Sequence, residues 1–472
     1  MSRKVTLIMP CYNAETHIDV MLASVYGQLH DDIELICIDD GSTDNTRAKL
    51  DAWKPIIEKR GYTMTVVSKK NGGAASAINV GLSLMTGDYI CFPDNDDMLM
   101  PGYASKMLNY LEEHRKMQWV KCGCIMEDLS KLHYPRIKSQ LKQYNNALSK
   151  RHLLELTISG RVPAVVWTIM VRRSFFEECF PDMKIDEGGV SQEYQMIFPL
   201  TAKARYGYID EPLYAYLHSR TYGDNHRNKS YESEALYLAS LSAMAKKIAN
   251  KLGKTEDQKK KWVLMCNIAY IYRCIAAARR HNESESLKQL IGELFTQIKP
   301  IIRLESDLIN IETLQEIPNR VITFLAYGAL DKLMYTANEF AQLITPKMLK
   351  QFEDLQTNDV HVYGAGWLGQ VIVHILLYMD IMPKQIFDKN SDKIGDSIYG
   401  IPIVSPEFDS LSAREKQDML VVVAILDANV HEEVAKLLIA DGIQKIEPGD
   451  DLIDTLQILA AANGENKGSQ IS

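Results

Sequence analysis

Four short apolar, β-branched runs recur near the start of the chain: VTLIM (5–9), IELICI (33–38), TMTVV (63–67) and DYICF (88–92). Each is separated from the next by a stretch long enough for a helix. Strands joined in this way pair as a mostly parallel sheet with helices on its faces, so the rhythm fixes an α/β fold before anything else is considered. Ligands of such sheets collect at the carboxyl ends of the strands. Polar residues stand there in this chain. Pro10-Cys11-Tyr12-Asn13 ends the first run, and Asp39-Asp40-Gly41-Ser42-Thr43-Asp44 the second. Lys69-Lys70-Asn71-Gly72-Gly73 follows the third, and Asp94-Asn95-Asp96-Asp97 the fourth.

Some of these tips have ordinary readings. Asp39-Asp40-Gly41-Ser42 suits a turn and a helix N-cap, and Asn71-Gly72-Gly73 suits a plain loop. The acidic run is harder to explain by folding alone. Three carboxylates within four residues, 94–97, repel one another unless a cation or solvent offsets them. Hard oxygen donors suit Mg2+ or Mn2+, which are commonly held by one or two carboxylates together with substrate phosphates.

Taken together, VTLIMPCYNAE, IELICIDDGSTDNT, NGGAASAINVGL and TGDYICFPDNDD, in that order across residues 4–125, resemble the nucleotide-sugar-binding half of a family 2 glycosyltransferase with the GT-A fold. The resemblance implies an inverting transfer from a nucleoside-diphosphate sugar, UDP foremost, with Mn2+ or Mg2+ as cofactor. The implied acceptor is a glycan or lipid-linked glycan, in cell-surface polysaccharide or glycoconjugate synthesis. By the same resemblance, Tyr12 and either Asp39 or Asp40 contact the nucleobase, with Pro10, Asn13, Asn71 and Asn95 lining the donor. Asp94 faces the ribose, Asp96 holds the metal, and Asp97 is a supporting or capping residue. One departure stands out. Relatives often carry Arg where this chain has Ala77-Ile78-Asn79, which leaves Lys69, Lys70 or a later basic residue to face phosphate.

Similar enzymes pass the acceptor proton to an acid that opens a helix, shortly before a strand and a Glu-Pro-Leu-Tyr motif. The segments GGVSQEYQMIFPL (188–200) and YGYIDEPLYAY (206–216) follow that layout. They make Glu193 the candidate base, with Asp186 or Glu187 as fallback carboxylates. The helix macrodipole alone also favours a Glu in a first turn. In HSRTYGDNHR (218–227), the resemblance brings His226, and less directly Arg220, towards the metal and diphosphate; a surface loop is the equal alternative. Trp167 and Tyr194 read as core aromatics, with stacking on a sugar as the alternative.

Past residue 230 the pattern changes. Helical periodicity with almost no Gly or Pro runs to about 350. A second alternating region begins at DVHVYGAGWLGQ, where Gly364, Gly366 and Gly369 form G-x-G-x-x-G and Asp388 closes the next strand. That context is a dinucleotide-type fingerprint, and the segment resembles Rossmann-like modules appended to bacterial polysaccharide-assembly enzymes. The expected organisation is a GT-A domain over 1–228, a helical linker or bundle over 229–355, a Rossmann-like domain over 356–450 and a flexible tail over 451–472. No Tyr-x-x-x-Lys pair accompanies the second fingerprint, so hydride transfer is the weaker of the alternatives. The other is a non-catalytic nucleotide-sugar-binding protein, suggested by Gln192 and Ile78.

Composition narrows the partners. A formal net charge of −8 without a basic tail argues against nucleic acid. The eight cysteines show no metal-ligand spacing, and a reduced, cytoplasmic setting is expected. Lys259-Lys260-Lys261 before Trp262 is either a solvated helix face or a peripheral contact with the inner face of the membrane. Self-association stays open.

Overall fold

A computed structural model describes residues 3–128, 136–138, 151–187, 191–203, 205–218, 230–302, 319–336, 344–425 and 428–449, with residues 339 and 452. The chain divides into two compact units, Met1–Ala277 and Ala278–Ser472.

In the first unit, β1 (Val5–Cys11), α1 (Ile18–Tyr26), β2 (Ile33–Asp39), α2 (Thr46–Lys59), β3 (Thr63–Ser68), α3 (Ala74–Leu84) and β4 (Tyr89–Cys91) alternate as the four apolar runs require. Then come β5 (Met98–Leu99), α4 (Tyr103–Glu113), β6 (Trp119–Asp128), β7 (Arg136–Lys138) and α5 (Leu153–Ile158). After them lie β8 (Ile169–Arg172), α6 (Arg173–Cys179), α7 (Gln192–Ala202), β9 (Tyr206–His218), α8 (Tyr231–Leu252) and α9 (Glu256–Arg280). The strands form one sheet in the order β3-β2-β1-β4-β8-β6-β9-β5, with β7 on β6. β1 to β4 are parallel, whereas β8 runs antiparallel to both β4 and β6. Every residue of β2 is buried, as expected for a central strand covered on both faces.

Register places the tips. Cys11 pairs with Asp39, and Asp39 with Ser68, so three strands end level. β4 stops sooner, with Cys91 opposite Leu7. Its continuation, Asp94–Asp97, therefore reaches the same edge beside the other tips, where Asn95 bonds the Pro10 carbonyl.

The sequence pattern put a break near 228, but the first unit runs on to Ala277. Helix α8 packs on α7, and Trp262 of α9 donates its indole N–H to Glu155 of α5 at 2.9 Å, so these helices complete the first unit. Trp262 is buried, Lys261 pairs with Glu155 at 3.4 Å and Lys259 with Glu256 at 2.7 Å. Among the described residues no helix is long and apolar enough to cross a membrane.

The second unit contains α10 (Ser284–Ile302), α11 (Asn319–Met334), α12 (Pro346–Thr357), β10 (Asp359–Tyr363), α13 (Trp367–Tyr378), β11 (Ile386–Phe387), β12 (Ser397–Ile398) and β13 (Ile401–Val404). It ends with α14 (Ala413–Asp418), β14 (Met419–Val423), α15 (Ala428–Ala440) and β15 (Lys445–Pro448). α10 and α11 straddle undescribed residues and pack on each other. The sheet order is β12-β13-β11-β10-β14-β15, parallel except for β12. Helix starts carry their own signals: Thr345 caps α12 ahead of Pro346, and Ser412 with Glu415 forms a capping box on α14. The expected tail over 451–472 lies outside the described residues, save for residue 452.

Candidate functional site

The polar tips of β1 to β4 come together on one edge, and much of their polarity is used to hold one another. Asp39 accepts from the Ser42 N–H at 3.0 Å and from the Ser68 hydroxyl at 2.7 Å. Asp40 accepts from the N–H groups of Gly72 (3.0 Å) and Gly73 (2.7 Å), and pairs with Lys69 at 2.7 Å. Both acids are buried. Asp39 therefore shapes the loop after β2, while Asp40 shapes the Asn71-Gly72-Gly73 loop. Lys69, a candidate for facing phosphate, is committed to Asp40 and to the Lys70 carbonyl. Gly41 is required where these loops meet: its φ is 75°, and a Cβ there would lie 2.8 Å from the Asn71 nitrogen.

Across from them, Asn13 sits at φ 49°, accepts from the Thr43 N–H at 2.9 Å and donates its own N–H to Ser42 Oγ at 3.0 Å. Tyr12 is half exposed beside it. Asn95 donates to the Pro10 carbonyl at 2.8 Å, and its amide oxygen accepts from His17 Nε2 at 2.7 Å. Pro10, Tyr12, Asn13, Asp39, Asp40, Asn71 and Asn95 thus share one edge, tied by hydrogen bonds between strand tips.

The acidic turn behaves differently. Asp94, Asp96 and Asp97 each bring a carboxylate oxygen within 4.8 Å of the others. Among the described residues, no ion pair reaches any of the three. Asp97 is fully buried, accepting from the Tyr214 hydroxyl at 2.7 Å and the Leu217 N–H at 2.9 Å. Burial, then the charge of Asp96, pushes its carboxyl up to about 7. Asp94 is raised well above the carboxylate range by loss of water, then by Asp97, Asp96 and Glu193. Asp96 is exposed. A donor set of clustered carboxylate oxygens, with no cationic partner among the described residues and with Asp94 and Asp97 raised first by burial and then by neighbouring carboxylates, fits a hard divalent cation. Asp96 and Asp94 offer the accessible oxygens, whereas both oxygens of Asp97 are taken up inside.

Glu193 lies in the first turn of α7, beyond the Ser191 cap. It accepts from Ser191 Oγ at 2.8 Å and from the Gln192 amide at 2.9 Å, and its charge is felt at Asp94 and at Tyr237. Asp186 pairs with Lys247 at 2.8 Å and Glu187 accepts from Asn79 at 3.1 Å, so the two fallback carboxylates are engaged elsewhere. Ile78 is buried in α3 and faces no solvent-side phosphate. Trp167 stacks between Tyr214 (4.6 Å) and Tyr216 (5.6 Å), and Tyr194 stacks on Phe198 and bonds Arg273 at 2.6 Å. His226 and Arg220 lie outside the described residues.

Sequence reading missed His17 and the part played by Tyr214. A lone His carries no signal, but Tyr214 belongs to the Glu-Pro-Leu-Tyr motif and could have been singled out there. Its hydroxyl, besides binding Asp97, accepts from the Asp94 N–H at 3.2 Å and so braces the whole turn.

In the second unit, Gly369 belongs to a close approach: a Cβ there would fall 1.9 Å from the Gly364 carbonyl oxygen. Gly366 faces open space. Asp388 turns inward, accepting from the Ala365 N–H at 2.7 Å and the Asn390 N–H at 2.8 Å, with Lys393 at 3.7 Å. Asp388 thus bonds the glycine turn itself.

Residues 6–180 match the model of the family described as Glycosyl transferase family 2. An uncharacterized glycosyltransferase of Haemophilus influenzae is 39% identical over 114 residues, 24% of this chain and 44% of its own length. The minor teichoic acid biosynthesis protein GgaB of Bacillus subtilis is 22% identical over 393 residues, 82% of this chain and 40% of its own. The chain thus spans less than half the length of these two relatives. Among solved structures, S. aureus TarS 1-349 in complex with UDP-GlcNAc has 19% identity and a TM-score of 0.45, covering 70% of this chain and 89% of that one, too loose a likeness to place any residue.

Proposed function

We infer, from a first domain that belongs to glycosyl transferase family 2, that this chain transfers a sugar from a nucleoside diphosphate, UDP foremost, to a hydroxyl of a glycan or lipid-linked glycan with inversion at the anomeric carbon. One observation carries the reading: three carboxylates with no cationic partner among the described residues, at the carboxyl ends of the parallel strands, within electrostatic reach of a helix-opening Glu. The likeness to a teichoic acid biosynthesis protein supports a surface-polymer acceptor.

In this reading the nucleoside sits against Tyr12, Asn13 and the loops that Asp39 and Asp40 shape, with Asp94 towards the ribose. Mn2+ or Mg2+, held by Asp96 and Asp94, would supply neutralisation of the charge that grows on the departing diphosphate. Glu193 takes the proton of the acceptor hydroxyl as its oxygen bonds to the anomeric carbon and the bond to the diphosphate breaks. Gln192 and Ser191 hold the Glu193 carboxylate in place for that transfer. The parallel order of the second sheet and its glycine turn support a Rossmann-like module. The inward-facing Asp388 favours a structural role for it over dinucleotide binding.

The test is a screen of UDP-glucose, UDP-galactose, UDP-GlcNAc and GDP-mannose for thermal stabilisation of the full chain with and without Mn2+. At least one donor raises the melting temperature only with metal, and that donor is turned over by the parent but not by Glu193→Gln. Stabilisation by no donor, or full turnover by Glu193→Gln, would overturn the reading.

A further inference from the structure

The segment leading into the Glu193 helix is gripped by side-chain amides from both sides. Asn79 of α3 donates to the Ile185 carbonyl at 2.9 Å and accepts from the Ile185 N–H at 2.9 Å. Gln195 of α7 does the same to the next residue, accepting from the Asp186 N–H at 2.7 Å and donating to its carbonyl at 3.0 Å. Consecutive residues of an extended chain present their backbone groups to opposite sides. Each amide therefore acts as a one-residue strand partner, and residues 185–186 form a strap between two helices. Both amide side chains are buried, so nothing in solvent replaces a lost bond.

The two helices are those that matter for the proposed chemistry. α3 begins at Gly73, whose N–H bonds Asp40 in the donor-side loop. α7 carries Glu193 two residues before Gln195. Its cap residue Ser191 holds φ 55°, a left-handed conformation that costs a non-glycine residue energy and persists only where its surroundings fix it. The strap supplies one such constraint. It ties the start of the base-bearing helix to the donor loop through Asn79, across more than a hundred residues of sequence.

We propose that Asn79 and Gln195 are positioning residues: by clamping residues 185–186 between α3 and α7 they set Glu193 at a fixed distance from the donor's anomeric carbon. This rests on the reading of Glu193 as the base. Neither amide touches substrate, so the expected signature is a split between turnover and donor binding, which a general loss of structure would not give.

Asn79→Ala, Gln195→Ala and the double variant are compared with the parent for release of UDP from the UDP-sugar that stabilises the chain, and for Kd of UDP with Mn2+ by calorimetry. Each single variant loses about tenfold or more in kcat while Kd moves less than about threefold, because a base displaced by about 1 Å costs rate without touching the nucleotide. The double variant loses little more than the worse single one, since both hold one strap. Turnover within twofold of the parent in both single variants, or a Kd that weakens in step with kcat, overturns the proposal. Should an alanine variant fail to fold, Asn79→Asp keeps the bond from the Ile185 N–H and loses the one to its carbonyl. The same split is expected of it and the same results overturn the proposal. Glu193→Gln separates the two readings. If it abolishes turnover while the amide variants do not, the clamp alone fails. If it leaves turnover intact, the reading of the base fails and takes the clamp with it.

Discussion

The two sheets of this chain both carry acids and glycines at the carboxyl ends of their parallel strands, yet they use them in opposite ways. In the second, the acid at the tip of β11 is satisfied: Asp388 bonds two backbone N–H groups and lies near Lys393. In the first, Asp39 and Asp40 are satisfied in the same manner, but Asp94, Asp96 and Asp97 crowd together with no ion pair among the described residues. Folding does not gather like charges for its own sake. An acid that closes a turn explains itself, whereas a cluster of carboxylates with no ion-pair partner among the described residues calls for a ligand. Polarity at a strand end is therefore weak evidence of a site, and unrelieved charge there is strong evidence.

The comparison can be broken in several ways. The largest expected effect is on turnover. Asp96→Asn should lower release of the nucleoside diphosphate by about a hundredfold or more, the scale of removing a group that stabilises developing charge. Asp388→Asn should leave it within twofold. Equal losses would mean that the second edge takes part in the chemistry.

A pH difference comes next. His361 of β10 is buried against Phe387, and burial holds it down to about 4 from its usual 6.5. Its folded-state pKa is depressed, so its contribution is complete above pH 6.5 and is lost as pH falls towards 4. The loss is of the order of 3 kcal/mol. Chemical denaturation followed across that range should show the second unit weakening with acid, and His361→Phe should flatten the trend. A parent whose second unit is indifferent to pH between 4 and 6.5 would contradict this.

Smaller still is the stability that Asp388 supplies. Asp388→Ala leaves the Ala365 N–H without its acceptor and should cost about 1–3 kcal/mol in urea unfolding of the second unit. If the variant is as stable as the parent, the acid is held in reserve for a ligand after all. The smallest effect is expected at the exposed pair of Lys247 and Asp186. Lys247→Ala should change stability by no more than about 1 kcal/mol.

What could be read from sequence divides along a physical line. The strands at Val5, Ile33, Thr63 and Tyr89 were legible because each is a local pattern of β-branched residues. The meeting of their tips followed from the parallel order that such alternation imposes. Inside and outside were not legible within Asp94–Asp97. Only the structure shows Asp97 turned onto Tyr214, a partner more than a hundred residues away, with Asp96 left in solvent. Nor could sequence tell that Asp40 would be consumed by Gly72 and Gly73, or that Trp262 would bond Glu155. In each case the deciding partner is remote in the chain, and residue type alone leaves its identity open.

The central claim is that the acidic turn of the first sheet seats a divalent cation against a sugar nucleotide's two phosphates. Calorimetric titration of the full chain with UDP tests it most directly, in Mn2+ and in a chelator, for the parent and for Asp96→Ala. The account predicts binding by the parent that disappears in chelator and is abolished or weakened at least tenfold by the substitution. Equal affinity in all of these titrations would contradict it, as would no heat in any.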